Sequence, residues 1–401
     1  MPNQTHDYGD LLVTLTSEYD LMWNDRGSNA DDDGSFWHPK TQDEKKLRPL
    51  GSVAVGNYDD INKQQATLLV GANPNSGGTP AVASPVGYTL MWTDHGSGAD
   101  NDGSFWRPNA PSGYVSLGDV VQKGYDTPPV DRVWCLRADL AADARHSDYH
   151  VWYDRHSGAN QDVSVWAIEP SGTAVTGSES IPIIAGTFLS SKTYSPPANV
   201  VLAVPALQVK NNYQKFNTPV PQIGKDYIPY EGEVYNLQEQ CRITLPFISF
   251  FPPTDRRALD KISDPFCAVN RSIAWYVEAV YENRTGGTID RSETVKSGVS
   301  KEVSEEMTQK AGIQISAKYG TKLSNYGISL NYQFSYSKTS KFTEFQEHEL
   351  TEKFTVPEYS ATVLFGQHIW MNASRADGSA VMAQIDFNAN SDMHLSGVNL
   401  T

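Results

Sequence analysis

One pattern occurs three times in the first half of the chain and narrows what that half can fold into. The first copy spans 19–37 and carries Trp23, Asp25, Asp31, Asp33, Ser35 and Trp37. The second spans 88–106 with Trp92, Asp94, Asp100, Asp102, Ser104 and Trp106, and the third, more diverged, spans 149–166 with Trp152, Asp154, Asp162 and Trp166. In every copy the two tryptophans stand 14 positions apart, with Asp, Ser, Ala, Asp and Ser at matching offsets between them. Further strand-like stretches follow each copy, so a repeat is a few short antiparallel strands. Such a unit cannot bury its apolar face alone; stacked copies can. The prediction is a pseudo-threefold β-prism over 8–210, with a propeller-like or trefoil-like arrangement as the alternative.

Two readings of the motif stay open on sequence alone. In one, the tryptophans fill the prism core, the Asp and Ser side chains cap tight turns and the glycines supply positive φ. In the other, Asp, Ser and Gly in exposed loops hydrogen-bond sugar hydroxyls while an aromatic ring stacks on a sugar face, and three copies raise avidity. Asn29, Asp31, Asp33 and Gly34 imitate the start of an EF-hand loop, but Lys40 stands where that loop needs its bidentate Glu. No metal or other cofactor is therefore expected, with a looser site on Asp31 and Asp33 left open.

These residues carry a resemblance. The WxD-x-GSxADxDxSFW pattern, followed in the second copy by Gly113-Tyr-Val-Ser-Leu-Gly-Asp-Val, resembles the vacuolar protein sorting-associated family sixty-two over residues 8–210. The third copy has Val163 where the others have Gly34 and Gly103.

The whole chain, 401 residues long, has room for two or three cores. Its formal net charge of −15 argues against a nucleic-acid partner, which needs a basic footprint, and against attraction to anionic lipid by charge. Cys135, Cys241 and Cys267 are an odd count at no metal or redox spacing and read as buried thiols. The start of the chain lacks a signal-peptide pattern, and no apolar run is long enough for a transmembrane helix. The sequence contains no P-loop, His-Glu-x-x-His or Gly-x-Ser-x-Gly, so an enzyme is not expected.

Residues 211–235, rich in Asn, Pro and Tyr, read as a linker to a second domain over 236–401. Within that domain, 311–337 shows period two twice. Ile313, Ile315, Ala317 and Tyr319 alternate with polar residues, as do Ile328, Leu330, Tyr332, Phe334 and Tyr336. The two arms predict a hairpin across 320–326, and neither arm contains an Asp or Glu. Alternation of this kind suits a membrane-spanning barrel strand, and equally an ordinary hairpin with one face on a core. Residues 301–309 read as briefly helical, with Val295, Val299 and Val303 as an approach strand.

Strand, long Ser/Thr-rich excursion about 294–345, return strand and closing strands: this order resembles the aerolysin-like β-pore-forming toxins of the epsilon-toxin and mosquitocidal-toxin type. The resemblance implies an all-β protein with an elongated sheet or sandwich module after the prism. It also implies a secreted, soluble toxin, insecticidal in some families, acting extracellularly. The prism would bind a cell-surface glycan or glycoprotein, and the chain would oligomerise and insert its hairpins into the target membrane. The alternative is a glycan-binding or scaffold protein that never inserts.

Overall fold

The computed structural model describes residues 3–42, 46–171, 180–209, 214, 216–316, 320–323, 328–329, 347–388 and 393–401. Nearly all its regular structure is strand, arranged as two compact units: Met1–Val209 with Pro246–Phe266, and Lys210–Leu245 with Cys267–Thr401.

In the first unit each motif forms a small antiparallel sheet. Tyr19–Asn24, Ser35–Pro39 and Val53–Val55 make one; Tyr88–Thr93, Gly103–Pro108 and Val120–Lys123 make the second. Trp152–Tyr153, Ser164–Pro170 and Phe188–Ser191 make the third, which runs on into three further strands. The inner faces meet in one core built from Trp23, Trp92, Trp152, Phe36, Phe105, Phe188 and their aliphatic neighbours. The expected pseudo-threefold prism is therefore present.

A bulge in the first two motif sheets shapes that core. Leu21 faces Trp37 and Trp23 faces Phe36, so Met22 is the extra residue; Leu90, Trp92 and Met91 repeat the arrangement. The consequence is that Met22 and Trp23, adjacent in sequence, are both buried, as are Met91 and Trp92.

In the second unit the main sheet runs in the order Val234–Pro246, Phe266–Asn283, Ser360–Ser374, Ala380–Asn388, and His394–Asn399 also pairs with Ser360–Ser374. Its central strands are long, 18 and 15 residues; the first alternates buried and half-buried positions over much of its length, and the second is buried at most of its positions. Trp275, Val277, Val363 and Phe365 form one core cluster; Ala279, Val295 and Leu364 form another.

Two departures from the sequence reading fall here. Lys301–Ala311 is a full helix, so Ala311 ends a helix instead of opening a strand, and Val303 lies within it. Ser300 caps it by accepting a hydrogen bond from the Val303 N–H, and Gly312, at φ 66°, ends it in the left-handed conformation that glycine adopts without strain. Lys301 with Glu305, and Lys310 with Glu306, add ion pairs one turn apart. The second departure is the hairpin. Ile313–Ser316 pairs with Gly320–Leu323 across 317–319, and Leu323 then pairs with Ile328, so 320–323 is a strand and not part of the connection. Ile313 is buried; Ala317, Tyr319, Leu330, Tyr332, Phe334 and Tyr336 lie outside the described residues.

Candidate functional site

The repeats interlock head to tail through their motif loops. Each loop is first closed on itself: Asp25, Asp94 and Asp154 accept from the backbone N–H of Gly34, Gly103 and Val163 at 3.0, 3.1 and 2.9 Å. Ser28, Ser97 and Ser157 accept from the N–H of Ala30, Ala99 and Ala159. Local side-chain capping of this kind favours Asp and Ser at tight turns, so the repeated offsets follow from loop geometry.

Each loop then grips its neighbour. The N–H of Asp31 donates to the Arg155 carbonyl, that of Asp100 to Arg26 and that of Asn160 to His95, completing a ring of three. The indoles close the same ring in the opposite sense: Trp23 donates to the Asn101 carbonyl, Trp92 to Gln161 and Trp152 to Asp32, at 2.7–3.1 Å. The three rings stand edge-on to one another, with centroids 5.3, 5.6 and 5.7 Å apart. Trp152 also donates to Asp25, and Trp92 to Asp154. The outer tryptophans are held within their own repeats, where Trp37, Trp106 and Trp166 donate to the hydroxyls of Ser35, Ser104 and Ser164.

All six motif tryptophans are at most 8% exposed. Asp25, Asp94, Asp154, Ser35 and Ser104 are buried with them, so the structure gives these side chains a packing and loop-closing role. What the motif turns outward is Asp31, Asp33, Asp100, Asp102 and Asp162. His156 Nδ1 lies 2.7 Å from Asp31, and that contact holds the Asp31 carboxyl below the usual carboxylate range. Burial, more than neighbouring charge, pushes Asp154 up. Among the described residues, no group of three or more His, Cys, Asp or Glu side chains is placed to hold a metal.

Three tyrosines outside the motif proper complete the loops. Tyr58 donates to Asp25, Tyr125 to Asp94 and Tyr194 to Asp162, at 2.7, 2.8 and 3.0 Å. Burial and these carboxylates push all three phenols up. The Arg26 guanidinium sits 4.2 Å over the Tyr58 ring, and His95 stacks on Tyr125 at 4.1 Å. Their signal was available as a third repeated position: Gly56-Asn-Tyr58, Lys123-Gly-Tyr125 and Lys192-Thr-Tyr194 follow the three motifs in turn.

The second feature of interest lies in the second unit. Ile289–Ser297 and His348–Val356 form a two-stranded ribbon in unbroken register, from Ile289 opposite Val356 to Ser297 opposite His348. It closes the excursion 298–347 at its base. One face of the ribbon consists of Asp290, Ser292, Thr294, Lys296, Glu349, Thr351, Lys353 and Thr355, and every one is exposed. The other face lies on the main sheet, where Val295 packs with Ala279 and Leu364, and Phe354 meets Tyr281 edge-on at 5.3 Å. The helix Lys301–Ala311, which follows the ribbon, lies against Ala380–Asn388 and buries Met307 and Ala311. No described helix is long and apolar enough to cross a membrane, which says nothing about strands.

Comparison with known proteins bears on the first unit. The family model described as vacuolar protein sorting-associated protein 62 matches residues 3–229. No curated protein sequence matches the chain. Among solved structures, the crystal structure of GNIP1Aa from Chromobacterium piscinae is similar at 24% identity and a TM-score of 0.40, covering 49% of this chain and 37% of that one. The crystal structure of Cry35Ab1 is similar at 13% identity and a TM-score of 0.35, covering 98% of this chain and 90% of that one.

Proposed function

The chain belongs to the vacuolar protein sorting-associated protein 62 family by the match over residues 3–229, and on that premise we propose that it is a two-part pore-forming toxin. The first unit binds a cell-surface glycan or glycoprotein, with Asp31, Asp33, Asp100, Asp102 and Asp162 as the outward groups of its motif loops. The second unit oligomerises on the membrane and contributes the excursion 298–347 to a shared β-barrel.

The observation that carries this reading is the ribbon. A segment that must leave a folded unit without unfolding it needs a paired stem, and Ile289–Ser297 with His348–Val356 supplies one. The fully polar face of that stem suits a water-filled lumen, because barrel strands keep one side wet. The alternating stretch beyond it, free of Asp and Glu from 311 to 337 and with Lys318 and Lys322 as its charged residues, suits a bilayer better than the acidic sequence on either side of it. In the soluble form the helix Lys301–Ala311 and the strands Ile313–Ser316 and Gly320–Leu323 hold the start of that stretch.

The test is dye release from liposomes and from insect and mammalian cells, followed by detergent extraction and sizing. Release with a large detergent-stable oligomer is expected. A disulfide tethering Lys301–Ala311 to Ala380–Asn388 should abolish release while cell binding persists. Binding without release, from wild type on every membrane tried, would leave the non-inserting glycan-binding protein as the better reading.

A further inference from the structure

The motif indoles are buried, so a glycan-binding first unit must find its aromatic platform elsewhere. We propose that a cleft floored by Trp134 is a saccharide-binding site; the inference rests on the reading of the first unit as the recognition part.

The cleft has a volume of about 680 Å³, within the range of small-molecule sites, roughly 300–1,000 Å³. Leu12 and Val82, with Trp134, supply its apolar lining, while Asp7, Lys46 and Asn75 line it with polar groups. The indole is fixed from several directions. Its Nε1 donates to the Lys46 carbonyl at 3.0 Å, its backbone N–H donates to Pro49, and the Arg48 guanidinium lies 4.0 Å from the ring centroid. A half-buried indole held in this way loses little freedom when a ligand stacks on it.

The fold of the repeats does not call for an aromatic at this position. Trp134 immediately precedes the strand Cys135–Arg137, whereas Ala66 precedes Thr67–Ala72 and Leu202 precedes Ala203–Gln208 in the first and third repeats. The polar groups are also uncommitted: the side chains of Asp7, Lys46 and Asn75 make no hydrogen bond or ion pair with a described residue. A carboxylate, an ammonium and a carboxamide around one indole offer an acceptor, a donor and a group that is both. Vicinal sugar hydroxyls need that combination, and the apolar face of a pyranose ring fits the indole. An acyl chain would leave the three polar groups unpaired, at a desolvation penalty.

Saturation-transfer NMR with the methyl glycosides of galactose, N-acetylgalactosamine, mannose, glucose and fucose, together with N-acetylneuraminic acid, tests the proposal. At least one should bind the wild-type chain. Trp134→Ala should weaken it by about tenfold or more, as loss of a central aromatic contact does. Asp7→Asn, a change at an exposed side chain, should weaken it several-fold without affecting the fold. No binding by any of the six, or binding unchanged in both variants, overturns the cleft as a sugar site. Cell binding separates the two proposals: if wild type and Trp134→Ala bind cells equally, the recognition role stands without this cleft, and if wild type binds no cell, the recognition role itself fails.

Discussion

Gly34 lies against the indole of Trp152, so close that a β-carbon at position 34 would overlap the ring. Gly103 stands in the same relation to Trp23, and the third repeat, with Val163, is built differently. The two glycines are therefore fixed by packing between repeats, not by the turn each one closes. Gly34→Ala and Gly103→Ala should each destabilise the first unit by about 1–3 kcal/mol, the usual penalty for overfilling a packed core. Gly77→Ala, where a β-carbon would meet nothing within 4 Å, is the control and should stay within about 0.5 kcal/mol of wild type. Thermal or urea unfolding checks all three.

Asp119 carries the second prediction. It is fully buried, pairs with Arg107 at 2.8 Å, and accepts from both the N–H and the hydroxyl of Ser190, at 2.7 and 2.5 Å. Arg107 in turn donates to the Ser190 carbonyl, so one ion pair joins the second repeat to the third. Asp119→Ala leaves the guanidinium and the Ser190 donors without their partner. A loss of about 3–5 kcal/mol is expected, the range for breaking one side of a buried pair. A loss under about 1 kcal/mol in urea unfolding would mean that water replaces the carboxylate.

The repeats were legible because identical offsets need identical geometry, and Asp and Ser at those offsets announced the closed loops. The destination of the tryptophans was not legible. Period two assigns neighbours such as Met22 and Trp23 to opposite faces; only the bulge buries both. The Trp23 partner, the Asn101 carbonyl, lies 78 positions away in another copy, where no local pattern points. In the second unit the approach strand expected through Val295, Val299 and Val303 meets the ribbon only at Val295, because the strand runs Ile289–Ser297. The helix Lys301–Ala311 was underestimated because Val295, Val299 and Val303 imitate a continuing strand, although Ser300 and Gly312, a cap at each end, are visible in the sequence.

His368 makes the second unit pH-sensitive. Its Nε2 lies 2.8 Å from Glu278 and its Nδ1 3.2 Å from Asp386, and Tyr276 stacks on the ring at 3.9 Å. Both carboxylates can be hydrogen-bonded only if both ring nitrogens carry protons. Burial pushes the imidazole pKa down, but Asp386 and Glu278 together push it further up, and the net shift is upward. The contribution to stability is therefore full below the unfolded value of about 6.5 and is lost as pH rises through the raised folded value. The His368 contact also holds Asp386 low, so that contribution is present above about 3.9 and is lost as pH falls through the folded value. Unfolding temperature measured against pH should fall on the alkaline side, and His368→Gln should flatten that limb. An unchanged limb in the variant would assign it to another group.

The ribbon contains its own weak point. Glu293 and Glu352 are directly opposite, and both point to the face that lies on the sheet. Glu293 is engaged by the Tyr281 hydroxyl, whose pKa is pushed up to about 12 by burial first and by Glu293 next. Like charges facing each other across an antiparallel pair oppose its formation by about 0.2–1 kcal/mol. Water screens that repulsion more strongly than the half-buried face against the sheet does, so the pair favours lifting the still-paired ribbon from the sheet, the step that the proposed insertion requires. Glu352→Gln removes one charge at nearly constant shape and should slow hydrogen exchange along Ile289–Ser297 and His348–Val356 by up to about fivefold, since 1.4 kcal/mol corresponds to tenfold. If lifting limits insertion, dye release should slow by the same factor. Slower exchange with unchanged release would place the limiting step elsewhere, in binding or in assembly of the oligomer.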